Sequence, residues 1–403
     1  SPYAASATNP ECPMPSFNPL VETLAPPPVP SVFAWTRAYD GSQGPLIDLS
    51  QAVPGYPPHP AMLALLAETA GSTAYCGYGP IEGEADLRGA YADHVSAIYR
   101  ARIGSENIHV TSGCNEAFVS AAMAVAGPGA TVLMSNPFYF NHETTLSMMG
   151  VKIRTVACAA EDGFVPRIEA LEAAIAEDVR ALALVSPNNP TGAIYPADLL
   201  LQIFELCRER DIWLILDETY RDFLPGTGHS PHDLFRQDGW EDNLIGLYSF
   251  SKSFCIPGHR LGAITAGAKA VEQIAKIMDN LQVCAPRAAQ AAGSQALPVL
   301  AEWREHNRQE ITRRADALRT VLARVPGWSI GAIGAYFAFV SHPFSSLDSA
   351  QVAERLAKRA GIASIPGMYF GDGQEAYLRF AFANADVPTI ELLEGRLGNF
   401  TAE

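Results

Sequence analysis

Between about residues 60 and 300, short apolar runs alternate with stretches whose apolar positions recur at helical spacing. Thr131–Ser135, Val151–Val156, Ala181–Ser186, Ile212–Asp217, Leu244–Phe250 and Leu261–Thr265 are mostly apolar at consecutive positions, so they predict buried strands. Between them, Glu116–Val125, Arg167–Glu177 and Pro196–Arg210 carry the pattern of helices with one apolar face. Strands and helices in alternation predict a mainly parallel sheet covered on both faces, and ligands of such sheets sit beyond the carboxyl ends of the strands. Beyond this region, Glu302–Val325 predicts a long charged helix with apolar Ile311, Ala315, Leu318 and Leu322 on one side. A helix over Ser349–Ala360 and an apolar segment around Tyr377–Phe382 complete a second, smaller unit. Residues 1–30, with Pro26, Pro27, Pro28 and Pro30 close together, predict an extended arm.

Length and composition narrow the class. A chain of 403 residues is too long for one simple core and suits two domains sharing an interface. With 48% hydrophobic and 18% charged residues it has ample apolar surface to fold. The uncharged stretch from Ala117 to His142 is broken by Gly127, Pro128 and Gly129, which makes it helix, turn and strand rather than a membrane span. A net charge of −15 disfavours nucleic acid and anionic membrane as partners, while leaving room for local cations that hold a phosphate. The seven cysteines are odd in number, widely spaced and without a Cys-x-x-Cys pair. Free thiols in a reducing cytoplasm are therefore expected, with neither disulfide framework nor metal site. No stretch from Ser1 onward reads as an export signal, so the Asn399-Phe400-Thr401 sequon is put down to chance.

Candidate chemistry clusters where apolar runs end. Lys252 follows one, in Ser249-Phe250-Ser251-Lys252, with Arg260 eight residues on. An exposed lysine titrates near 10.4 and is a poor nucleophile at neutral pH; burial or a neighbouring cation frees its amine for Schiff-base chemistry. Taken alone, such a lysine is more often a surface charge. The same four residues fit the Ser-x-x-Lys of serine β-lactamases, but the Lys-Thr-Gly strand of that family is missing. Asp217-Glu218-Thr219-Tyr220 ends another run, where an aspartate reaches a ligand or simply caps a helix. Ser186-Pro187-Asn188-Asn189-Pro190-Thr191-Gly192 is a fixed turn that brings an asparagine amide to the same edge, or is just a loop. In Thr111-Ser112-Gly113-Cys114-Asn115, Gly113 allows a tight turn into a helix whose first N–H groups suit an anion, as many ordinary joints do. Asn136-Pro137-Phe138-Tyr139-Phe140-Asn141-His142 offers rings that stack on a flat heterocycle or build a core.

The order and spacing of these segments resemble the fold-type I pyridoxal-phosphate enzymes, in particular the class I and II aminotransferases of the aspartate aminotransferase superfamily. The likeness runs from about Asp48 to Phe382. It implies an α/β fold: a large domain with a mainly parallel mixed sheet covered by helices, plus a smaller α+β domain. The implied division is an arm over 1–30, the N-terminal part of the small domain over 31–59, a large cofactor-binding domain over 60–300 and a small C-terminal domain over 301–403. Carried over by motif, Lys252 would hold pyridoxal 5'-phosphate as a Schiff base and shuttle the substrate's α-proton, and Asp217 would pair with the pyridine nitrogen. Asn189 and Tyr220 would bond the ring hydroxyl, and Tyr139 would stack on the ring. Gly113, Cys114 and Asn115 would meet the phosphate, aided by Ser249, Ser251 and Arg260. Arg379, in Tyr377-Leu378-Arg379-Phe380, would clamp the substrate carboxylate, with Asn189 beside it and Gly55 lining the pocket. Tyr78, in Tyr78-Gly79-Pro80-Ile81-Glu82-Gly83, would reach the phosphate of a neighbouring subunit, implying a homodimer with shared sites.

The activity so implied is transfer of an amino group between an L-amino acid and a 2-oxo acid. Carbon–sulfur lyases, racemases and some oxidases use the same residues, and a non-catalytic regulatory domain is the remaining alternative. Cys114 stands where relatives usually carry Ala, Ser or Thr. His259 beside Arg260 is unusual, and Arg287 either faces an acidic side chain or is structural; the structural reading is preferred.

Overall fold

A computed structural model describes residues 14–226 and 230–401, so Cys12 and the first part of the predicted arm lie outside the described residues. The large sheet has seven strands in the order Ile108–Thr111, Gly262–Ala266, Leu244–Ser249, Trp213–Asp217, Val179–Val185, Thr131–Asn136, Lys152–Ala157. All run parallel except Gly262–Ala266, which is antiparallel to both of its neighbours. The three central strands are buried almost throughout, which is why they read as continuous apolar runs instead of alternating ones.

Two strand expectations need correction. Val151–Val156 is not a buried strand: the strand is Lys152–Ala157, it forms the sheet edge, and Lys152, Thr155 and Ala157 are exposed. A lysine on an edge discourages pairing with another chain. The run ending at Phe250 stops at Ser249, because the Ser249 hydroxyl accepts from the Ser251 amide at 3.2 Å and starts a single helical turn over Phe250–Ser253. The strand Ile108–Thr111 was unannounced, since its short run carries His109 and Thr111 among the apolar residues.

The sheet's geometry gathers the site. Parallel strands end at one edge, and the one antiparallel strand begins there, so Arg260, which precedes it, meets residues that follow the ends of the others. A smaller sheet of four antiparallel strands, ordered Ile365–Pro366, Tyr377–Phe380, Phe337–Ser341, Ser329–Gly334, packs with the helix Ala301–Leu322 through Ile311, Leu318 and Leu322. The apolar segment predicted to run to Phe382 leaves the strand at Phe380. A parallel pairing of Ile47–Asp48 with Ile362–Ala363 ties the N-terminal segment to this smaller sheet. In the arm, Pro19–Glu22 forms one helical turn capped by Asn18, and Pro28 precedes the helix Val29–Arg37. Among the described residues no helix is long and apolar enough to cross a membrane.

Candidate active site

A cavity of about 910 Å³ opens at the carboxyl edge of the large sheet, between it and the smaller sheet. Lys252 lines it from the short turn after its strand, and its Nζ donates to the Ala52 carbonyl. Burial, with the positive charges of Arg379 and Arg260, lowers the pKa of this amine to about 8. The chain has five lysines, and the other four (Lys152, Lys269, Lys276 and Lys358) are all exposed.

Asp217 ends its strand beside Val185 and Leu247 and is buried. Its Oδ1 accepts from the Thr219 amide at 2.9 Å and the Thr219 hydroxyl at 2.7 Å, and its Oδ2 lies 3.4 Å from His142 Nε2. Burial works to raise the pKa of this carboxyl. The hydrogen bond and charge of His142, with the bonds from Thr219, outweigh it and hold the group below the usual carboxylate range. Glu218, the next residue, faces away into the core, where it accepts from the Tyr99 hydroxyl at 2.6 Å and lies 3.1 Å from His232. Alternation along an extended chain thus turns Asp217, and not Glu218, toward the cavity.

Asn189 and Arg379 meet although 190 residues separate them: Arg379 Nη1 donates to Asn189 Oδ1 at 2.9 Å and Nη2 to the Ser50 carbonyl at 2.6 Å. The guanidinium lies over the rings of Phe337 and Phe370, and burial lowers its pKa to about 10. Its Nε is buried without a partner. Tyr220 is buried against Tyr336 and Phe337, and burial raises its hydroxyl pKa. Tyr139 lines the cavity, with its hydroxyl accepting from Asn141 Nδ2 at 2.7 Å.

On the other side, Gly113 has φ +88 and starts the helix Cys114–Val125, whose first N–H groups lack intrahelical acceptors. A Cβ on Gly113 would fall on the Arg260 guanidinium, which donates to the Ser112 carbonyl at 3.2 Å and the Pro257 carbonyl at 3.0 Å. Only glycine serves where the backbone is left-handed and a cation packs this closely. Cys114, Asn115, Ser249 and Ser251 line the cavity here, and burial raises the Cys114 thiol well above its usual range. The Ser251 hydroxyl is buried with no partner.

Two expected positions lie elsewhere. The lining residues on the N-terminal side are Ser50, Gln51, Ala52 and Val53, not Gly55. Gly55 donates its amide to the Ala383 carbonyl, and a Cβ there would strike the Asn384 backbone. Tyr78 is 83% exposed and is not among the residues that line this cavity. Its loop is held by Arg287, which pairs with Glu84 at 2.5 Å and donates to the Ala74 and Gly77 carbonyls. Sequence reasoning assigned no role to His142. It lies three residues past Tyr139 on the helix Phe140–Met148, stacked on Phe118 at 3.7 Å, and that i, i+3 spacing was the available signal.

A buried lysine of lowered pKa, an ionised aspartate and a helix start whose N–H groups suit an anion meet at one sheet edge, an arrangement that suits a phosphorylated aldehyde cofactor. The chain belongs to the family of class I and II aminotransferases, whose profile matches residues 45–397. An aromatic aminotransferase of Arabidopsis thaliana is 27% identical over 359 residues, covering 87% of this chain and 88% of that protein. An arginine–pyruvate transaminase of Pseudomonas aeruginosa is 28% identical over 320 residues, covering 78% and 80%. A single mutant of Thermus thermophilus aspartate aminotransferase shares the fold with a TM-score of 0.87 at 24% identity, covering 96% of this chain and 99% of that one. The protein is thus a pyridoxal-phosphate-dependent enzyme that transfers amino groups between amino acids and 2-oxo acids. The residues present fit that cofactor. The unpartnered Ser251 hydroxyl and the helix start at Gly113 suit its phosphate, and the carboxylate held ionised at Asp217 suits its ring nitrogen.

Proposed function

We propose that Lys252 is the lysine that holds the cofactor as a Schiff base and then moves the proton of the reaction. The observation that carries this reading is the position of Nζ: the one lysine in the cavity is buried there, and its amine pKa is lowered to about 8. Pyridoxal phosphate supplies an electron sink that acidifies the substrate's α-carbon. Once its amine is free, Nζ of Lys252 would accept the substrate's α-proton and deliver it to the carbon that receives the amino group. Asp217 stays ionised and keeps a proton on the facing ring nitrogen, while His142 and Thr219 fix the carboxylate's orientation. Tyr139 stacks on the ring, and Asn189 and Tyr220 bond its hydroxyl. Gly113, Cys114, Asn115, Ser249, Ser251 and Arg260 hold the phosphate.

Arg379 grips the substrate's α-carboxylate, with Asn189 fixing its fork. Replacing Arg379 with Ala should raise KM for the amino acid by roughly 100-fold, the worth of a charge-assisted bidentate pair, with cofactor content unchanged in absorption. An unaltered KM contradicts this role.

Tyr78, exposed on a loop clamped by Arg287 and Glu84, reaches the phosphate of a second copy, so the working form is a homodimer. The cavity then lies between a large domain over 60–300 and a small one built from 31–59 and 301–403. A cytoplasmic setting agrees with the six described cysteines, all of which are free.

A further inference from the structure

Resting on the reading of Arg379 as the α-carboxylate grip, the rest of the cavity bears on the substrate's side chain. The cationic residues among its described lining are Lys252, Arg260 and Arg379, and each already has a role at the cofactor or the α-carboxylate. Away from them the lining includes apolar Pro26, Pro27 and Val29 from the arm, Val53 from the segment tied to the small sheet, and Met368 and Phe140, with the uncharged polar Ser31, Gln51, Asn141 and Thr144 among them. Apart from Asp217, the acidic residue in the lining is Glu143. Its Oε1 accepts from the Ser147 hydroxyl at 2.9 Å, which keeps it on the helix Phe140–Met148 beside the cavity.

A second carboxylate on the substrate would therefore find no further cation among the described lining and would share the cavity with Glu143. An unpaired buried charge is among the costliest arrangements a protein site can hold. The cation packed on the Tyr78 loop, which would approach from a second copy, does not change this. Arg287 is the cation there, and it is consumed: Glu84 and the carbonyls of Ala74 and Gly77 occupy its guanidinium.

We infer that the side-chain subsite takes amino acids with bulky apolar side chains, aliphatic or aromatic, and discriminates against dicarboxylic ones. Proline contributes here because its ring is already rigid, so the wall loses little freedom when a side chain packs on it. The cavity's size leaves room for such a side chain together with the cofactor.

The test is calorimetric binding to the holoenzyme of three carboxylates that lack an amino group and so do not react: 3-phenylpropanoate, glutarate and 4-guanidinobutanoate. The expected result is that 3-phenylpropanoate binds at least ~10-fold more tightly than either of the others, the scale on which apolar pockets discriminate. In the Glu143→Gln variant the deficit of glutarate should shrink. Tightest binding of glutarate overturns the inference while leaving the Arg379 reading intact, and tightest binding of 4-guanidinobutanoate overturns it in favour of Glu143 as a cation-recognising group. If wild type and Arg379→Ala bind all three equally, the grip itself is wrong and the inference falls with it.

Discussion

At the residue scale, the chemistry depends on two buried ionisable groups whose pKa values are both lowered, which brings the lysine within reach of its neutral form and holds the aspartate charged. Lys252 loses water and sits near two guanidinium groups, so its amine deprotonates well below an ordinary lysine. Asp217 also loses water, yet His142 and Thr219 reverse the consequence and keep it charged. Burial thus yields a lysine that gives up its proton more readily, while beside it the neighbours keep an aspartate a fixed anion. The sign of the pH effect follows. Below about 8 the Lys252 amine is protonated and inert, and above it the amine is free, so capture of pyridoxal phosphate by the cofactor-free protein should rise to a plateau near pH 8 to 9. Stopped-flow absorption across pH 6.5 to 10 reads this directly. A rate still climbing toward pH 10 would mean an unperturbed lysine.

At the element scale, the loops after the strands matter more than the strands. In the turn Ser186–Gly192, Asn188 Oδ1 accepts from the Thr191 amide at 3.1 Å and the Thr191 hydroxyl at 2.8 Å, so the turn is fixed from within. Gly192 has φ +77 and backs onto the Phe337 and Gly334 backbone, which docks the turn on the smaller sheet and sets Asn189 against Arg379. Alanine there meets both a left-handed backbone and a backbone clash. Gly192→Ala should cost more than ~1 kcal/mol in urea unfolding and lower kcat/KM together with it; a stable, fully active variant would deny the turn its docking function.

The strand ends were legible in the sequence because each apolar run stops at a polar residue, and a parallel sheet gathers such ends. That reasoning located Lys252, Asp217, Asn189 and Gly113 at one edge. It did not reach His142, whose helix Phe140–Met148 is largely polar and carries no apolar stripe to announce it. Nor did it reach the bond between Arg379 and the Ser50 carbonyl, which spans 329 residues and follows the pairing of Ile47–Asp48 with Ile362–Ala363. Gly55 is outside the lining for the same reason: which face of residues 50–55 turns inward is decided by tertiary packing, not by local pattern.

At the scale of the whole molecule, Tyr78 is the most exposed of the large apolar side chains among the described residues. A large aromatic side chain that is 83% exposed on a clamped loop is well suited to reach into another subunit. If sites are shared, a Lys252→Ala subunit paired with a Tyr78→Ala subunit contains one complete site. Mixing the two weakly active variants, with subunit exchange, should then restore roughly a quarter of wild-type activity, as random pairing in a two-fold dimer predicts. Activity that stays at the average of the two variants would show that each chain works alone.

The most direct test of the central claim is to reduce the holoenzyme with borohydride, digest it and find by mass spectrometry which peptide carries the pyridoxyl group. The account predicts a stoichiometric label on Lys252 and none on Lys152, Lys269, Lys276 or Lys358. A label on any of those four, or an unlabelled Lys252 in active enzyme, would contradict it.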